Sequence, residues 1–474
     1  MVVLDAVSSW SFDLTQFDSV WKLVINVFLL LVALLLGNAL RRVVPFLRKA
    51  FIPSALIGGL FLFLIALFSD KVLHYTLVDK RIMQIITYHA LAVGFIAMSL
   101  KTAEKGKKAT VLQSFQNGAL TGATYMLQAI LGIGVSLLFF WLGIEKFYDA
   151  GVILPLGFGQ GPGNALTWDL KFSENPSIDF TGGGSFGLTI ASVGFIVASI
   201  FGVLYINIFK AKGEIVEKER LLDRRVEEFV TPTDIDDNES VDKTSIQVAF
   251  VGLSYLIAFG IMIFFAKLTD WTGVGLFNSV AWGFNFIWGV IAATLVKMAV
   301  NFFYNKGVCK RRYINNYQMD RISGFAFDIM IIAGVAAIDI EVVMRYLGLI
   351  VALCAVGTLA TFFYIFFISR RVFPNNRHEI FLVNYGALTG TASNGMILLR
   401  EIDPNFETPV SNIYIVSQFP AMIFVAPLLV LLEFSGATLT KCLIALGIFA
   451  ALFTGYTLFL VLSSRQKKEK EVTE

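Results

Sequence analysis

Apolar stretches of roughly 20 residues alternate with short charged runs along most of the chain, and each stretch is long enough to cross about 30 Å of hydrocarbon as a helix. The pattern predicts spans near 20–40, 52–69, 82–100, 118–142, 184–209, 246–267, 276–300, 322–343, 348–369, 408–432 and 437–463. Two segments break it. Residues 151–170 read GVILPLGFGQGPGNALTWDL, with Gly157, Gly159, Gly161, Pro162 and Gly163 at the centre, and residues 384–399 read NYGALTGTASNGMILL. In a helix interior glycine costs about 1 kcal/mol and proline about 3 relative to alanine, so both helices are expected to break there. Backbone freed at membrane depth must lie against protein or line a wet cavity. Paired interruptions in the two halves of a chain point to the binding site of a secondary transporter.

The predicted fold is therefore an all-α integral membrane protein with about eleven crossings plus two re-entrant hairpins, at 148–173 and 379–403. Charge places the loops. Arg41, Arg42, Arg48 and Lys49 follow the first span, and Lys101, Lys105, Lys107 and Lys108 the third. Arginines and lysines favour the cytoplasmic side, which sets the N-terminus outside and also puts the charged linker 210–244 inside. Lys306, Lys310, Arg311 and Arg312, then Arg370 and Arg371, and finally Arg465, Lys467, Lys468 and Lys470 land inside on the same count. Five spans then precede the linker in opposite orientation to the five that follow it, the signature of inverted-topology repeats at 1–209 and 245–434. The segment from Arg81 aligns without gaps on that from Arg321, sharing Arg-Ile, Gly94 with Gly334 and Ala97 with Ala337. Residues 435–474 add one further helix and a basic tail.

Composition narrows the classes. The chain is 56% hydrophobic with a mean hydropathy of +0.72, and no basic run resembles a nucleic-acid stripe. Cys309, Cys354 and Cys442 make no disulfide framework. The first 18 residues carry Asp5, Asp13 and Asp18 without Lys or Arg, so a retained first helix is expected rather than a cleaved signal peptide. No HExxH, Cys-His cluster, GxSxG elbow or P-loop falls at the hairpins, and no enzymatic activity is expected.

Half-helices of about ten residues rise roughly 15 Å, so two hairpin tips entering from opposite faces meet near the bilayer midplane. Helix N-termini there favour an anion and free carbonyls a sodium ion. Glycine lets backbone approach a solute, which singles out Gly159, Gly161 and Gly390. Gln160 and Asn164 in the first break, and Thr389, Thr391, Ser393 and Asn394 in the second, are candidate ligands for the solute; Asn164, Thr391 and Ser393 are also candidates for sodium. Capping of the half-helices is the competing role. Asp328 is the candidate cation ligand inside a span, with packing as its alternative. His89 reads as a neutral, hydrogen-bonded histidine, and Asp339 and Glu341 belong at the outer end of their helix. Arg400 ends the second hairpin, where it snorkels to the interface or clamps a carboxylate; Asp169 and Lys171 pose the same choice on the first.

With both interrupted segments, opposed halves and FIPSALIGGL at 51–60, the chain resembles the bacterial glutamate:sodium symporter family from the first span to about residue 432. Ile52-Pro53, Gly58-Gly59 and the glycine-rich tips carry the likeness most specifically. Typical members have a Gly-Gly-His-Gly-Thr-Gly tip where this chain has Gly157-Phe158-Gly159-Gln160-Gly161-Pro162-Gly163-Asn164. The resemblance implies an elevator-type homodimer in the bacterial inner membrane that couples sodium entry to uptake of an anionic amino acid, glutamate. A sodium-coupled symporter of di- or tricarboxylates is the alternative, and a passive channel a more distant one.

Overall fold

The computed structural model describes residues 21–101, 110–215, 243–273, 276–307, 313–404 and 408–473, with no strand among them. The N-terminal aspartates, Lys105, Lys107 and Lys108, linker residues 216–242, Cys309 and Lys310 to Arg312, and the side chains of the basic tail lie outside the described residues. In chain order the helices are α1 (Lys22–Val43), α2 (Pro45–Lys49), α3 (Ser54–Lys71), α4 (Lys80–Leu100) and α5 (Val111–Trp141). An irregular segment, Ala150–Gln160, leads to α6 (Pro162–Ser173) and α7 (Ser185–Ala211). Beyond the linker come α8 (Lys243–Thr272), α9 (Leu276–Gly283), α10 (Asn285–Asn305), α11 (Asn316–Ala336), α12 (Ile340–Arg345) and α13 (Leu347–Val372). The chain ends with α14 (Arg377–Thr389), α15 (Ala392–Ile402), α16 (Val410–Ser435) and α17 (Leu439–Thr473).

Ten of these helices are long and apolar enough to cross a membrane, which makes the chain a multi-pass membrane protein. Three boundaries differ from the sequence expectation. The span expected at 322–343 is α11, which stops at Ala336 and is followed by a turn and the short α12. Asp339 starts α12 by accepting the Glu341 amide at 3.0 Å. Although α11 has 21 residues, it carries Asp320, Arg321 and Asp328 and is not one of the ten. The span expected at 276–300 is divided at Phe284, whose φ of −126° and ψ of 41° separate α9 from α10. Finally, α5 begins at Val111, because Thr110 and Gln113 form a reciprocal capping box with both bonds at 3.2 Å.

Lipid tails offer helices little hydrophobic driving force to associate, so close approach of small residues holds many crossings together. A Cβ on Gly37 of α1 would sit 2.8 Å from the backbone nitrogen of Gly58 on α3. That crossing explains one glycine of the FIPSALIGGL run. The packing comes in matched sets: α1 lies on α3 as α8 lies on α10, α3 on α11 as α10 on α4, and α1 on α11 as α8 on α4, while α4 meets α11 and α5 meets α13 directly. Buried apolar residues gather accordingly. One core joins α5, both interrupted segments, α7, α13, α16 and α17. A second joins α1, α3, α4 and α11, with Leu166 of α6 and Leu188 and Phe195 of α7 on its border.

Asp339 and Glu341 sit where the sequence puts them, at one end of the bundle. Lys80 binds Asp339 at 2.9 Å and Lys71 binds Glu341 at 2.8 Å, tying the end of α3 and start of α4 to the α11–α12 turn. Cys354 and Cys442 are separate, buried thiols.

Candidate functional site

Both glycine-rich segments are interrupted as expected. In the first, a 3-10 turn at Ala150–Ile153 and a wide turn at Leu156–Gln160 replace a regular half-helix. Gly161 then takes φ 83° and ψ −176°, a conformation essentially restricted to glycine. Pro162 opens α6, at the helix position where its missing N–H costs nothing. Gln160 Oε1 accepts from Asn164 Nδ2 at 2.8 Å, so the two polar candidates of this break bond each other. Tyr125 of α5 donates its hydroxyl to the Gly159 carbonyl at 2.7 Å. A Cβ on Gly159 would overlap the Tyr125 ring.

The second break lies between α14 and α15, which fold back against each other. Their closeness needs two glycines: a Cβ on Gly386 would lie 2.7 Å from the Gly395 Cα. Thr389 donates to the Tyr385 carbonyl at 2.6 Å, and Thr391 to Asn394 Oδ1 at 3.3 Å. Gln128 of α5 reaches the end of α14, donating to the Leu388 carbonyl and to Thr361 Oγ1, both at 2.9 Å. Among the described residues, Gln128 Oε1 and Asn394 Nδ2 are buried here without a hydrogen-bond partner. Ser393 is exposed on the first turn of α15. Arg400 is exposed too, nine residues beyond Thr391 and thus about 13 Å along the helix, so it stands away from the break.

The two breaks adjoin. A Cβ on Gly161 would lie 3.9 Å from Thr391 Cγ2 and 3.6 Å from Met330 Cε of α11. Gly194 of α7 fits between the segments: a Cβ there would overlap the Thr389 carbonyl and lie 3.1 Å from Phe158. Gly161 and Thr391 are the N-cap positions of α6 and α15, and neither helix start has a side-chain cap. Two uncapped helix N-termini therefore come together, presenting amides and the positive ends of two helix dipoles. The carbonyl end of α14 lies alongside them, so donors suited to an anion and acceptors suited to a hard cation share one place.

Other candidates lie elsewhere. Met330 and Gly334 form the face of α11 that meets the first break, Gly334 against Pro162. Asp328, two residues before Met330, is about 200° around the helix and on the side of Ile332 and Val335, which pack on Gly59 of α3. It is partly buried, and the structure does not bring it to the sodium candidates. Asp169 is fully buried and accepts the Gly187 amide at 2.9 Å, which caps the start of α7. Lys171 pairs with Glu433 of α16 and lies 4.3 Å over the Trp168 ring. His89 bonds the Tyr255 hydroxyl. A Gly-x-Ser-x-Gly string occurs at 183–187, outside both interrupted segments. Its Ser185 hydroxyl accepts the Asp339 amide at 2.9 Å, a structural bond rather than a nucleophile's contact with a base.

Tyr125, Gln128, Gly194 and Met330 line the breaks without having been singled out in the sequence. For α5 a signal exists: Asn117, Thr121, Thr124 and Gln128 recur at helical spacing on one face of an otherwise apolar span, and all four are buried. Neither the known protein families nor the characterised proteins include a match to the chain.

Proposed function

We propose that the chain is a sodium-coupled symporter of a small anionic solute, with glutamate favoured. The observation that carries this reading is the meeting of two uncapped helix N-termini at paired breaks. An anionic group held there replaces the missing caps. Gly161 allows the solute to approach the backbone, with Gly159 and Gly390 flanking it, and Gln160, Asn164, Thr389, Thr391, Ser393 and Asn394 surround it. Sodium takes oxygens from Asn164, Thr391, Ser393 and the break carbonyls. Arg400 enters only if α15 tilts on loading.

The matched packing of α1, α3 and α4 with α8, α10 and α11 supports two inverted repeats, each with a re-entrant hairpin, and α11 as an eleventh crossing. The two apolar cores support an elevator mechanism, in which the body holding both breaks slides along α4 and α11. The likeness to glutamate:sodium symporters adds a homodimer, α17 as an addition to a ten-span core, and the bacterial inner membrane. On this reading the N-terminus is outside and the C-terminus cytoplasmic.

Counterflow into proteoliposomes with labelled glutamate, citrate and malate, in sodium or choline, tests the proposal. Saturable glutamate exchange that requires sodium is expected. Exchange of citrate or malate alone would establish the di- or tricarboxylate symporter, a reading favoured by the loss at this tip of the His and Thr that the resembled family carries. Non-saturating flux without sodium would identify a channel and overturn both.

A further inference from the structure

Remote from the breaks, Arg41, Arg42 and Arg48 join Asn38 and Ser54 around a cavity of about 340 Å³ where α1, α2 and α3 meet. Three guanidiniums line one hollow, and none has an ion-pair partner among the described residues. Arginine presents a planar fork of donors that matches phosphate oxygens two at a time. A second feature has the same sign: Ser54 is the first residue of the 18-residue α3, whose N-cap Pro53 offers no side-chain cap. The positive end of α3 therefore borders the same hollow.

The side of α1 facing away from α3 is apolar. Phe28, Val32 and Leu35 are 60%, 49% and 70% exposed on α1, and with Ala39 and Arg42 they follow the i, i+4, i+7 spacing of one helix face. Val43 and Phe46, beside the arginines, are 77% and 68% exposed. Arg42 alone both ends this stripe and lines the hollow, so it is the residue through which an acyl chain on the apolar face and a headgroup in the hollow would belong to one lipid.

We propose that this cavity binds the phosphate of an anionic membrane lipid headgroup, held by Arg41, Arg42, Arg48 and the first-turn amides of α3. Basic hollows at the cytoplasmic edge of membrane helices suit such headgroups. The proposal rests on the membrane setting and on the cytoplasmic placement proposed above for this end of α1, and not on which solute is carried.

Native mass spectrometry of the full-length protein, released from detergent after incubation with phosphatidylglycerol or with phosphatidylcholine of the same acyl chains, provides the test. The wild type should retain phosphatidylglycerol over phosphatidylcholine. Replacing Arg41→Gln, Arg42→Gln and Arg48→Gln together should weaken that retention about tenfold, equivalent to about 1.4 kcal/mol. A control that removes three charges elsewhere, Lys267→Gln with Lys306→Gln and Lys441→Gln, should leave it unchanged. Equal retention of both lipids by the wild type, or undiminished retention by the arginine variant, would overturn the site. If inorganic phosphate displaces the lipid as well as free phosphatidylglycerol does, the cavity serves a soluble anion and the lipid assignment fails.

Discussion

At Gly161 the backbone needs a conformation that a side chain makes costly, about 1–3 kcal/mol. Gly161→Ala should reduce uptake at least tenfold while membrane insertion, read by surface labelling and yield, stays near wild type. Tyr125→Phe removes the hydroxyl that holds the Gly159 carbonyl, a bond worth about 1 kcal/mol net, and uptake should fall about fivefold. Unchanged uptake in that variant would detach α5 from the site. Asp328→Asn tests the geometry differently. Because Asp328 points away from the first break, the sodium concentration for half-maximal uptake should stay within about twofold; a tenfold rise, about 1.4 kcal/mol of lost binding, would restore the carboxylate as a cation ligand. Local chemistry made Gly161 legible in the sequence, since four glycines and a proline admit few continuous helices. Tyr125 was not legible as a site residue, because it reaches the breaks from a helix that precedes them; the polar face of α5 marks Gln128 in the sequence, but only tertiary packing brings it to the second break. The same holds for Asp169: sequence leaves it between an interfacial anchor and a clamp, and only the folded chain reveals it as the cap of α7.

Among the elements, the ends of α3, α4 and α12 are joined by ion pairs whose pH response has a definite sign. Burial works to raise the Asp339 carboxyl, but hydrogen bonds from Lys80 and the Glu341 amide, with the charges of Lys80 and Lys71, outweigh it and hold the group below the usual carboxylate range. A carboxyl depressed in the folded state contributes stability that is present above the ordinary aspartate value of about 3.9 and is lost as pH falls through the lower folded value. Thermal unfolding in detergent should therefore show a wild-type advantage over Asp339→Asn at neutral pH that shrinks on acidification below about pH 4. A gap independent of pH would mean that the pair contributes only packing. Element boundaries show the limits of periodicity in the same region. The hydropathy pattern continues past Ala336, yet the chain turns there because Asp339 caps a new helix. The start of α5 likewise lies several residues before its apolar run, because Thr110 and Gln113 cap it there.

Over the whole molecule, the number and spacing of apolar spans made the membrane class and most helix positions legible, and the two interruptions marked where to look. Whether the interruptions meet was not legible, because the contact between Gly161 and Thr391 joins residues 230 positions apart in the chain. The proposed orientation rests on the charged loops alone: a reporter fused after Asp237 should be active only as a cytoplasmic fusion, and activity outside the cell would remove the inverted-repeat assignment. In the proposed symporter the two breaks together form the solute and sodium site. Single cysteines at Gly161 and Gly390, with Leu30→Cys as a control within a continuous helix, test it most directly with a small polar thiol reagent in membranes. Both break cysteines should label, the control should not, and glutamate with sodium should protect both positions together. Labelling of the breaks no faster than the control, or labelling that solute and sodium leave unaffected at both positions, would contradict it.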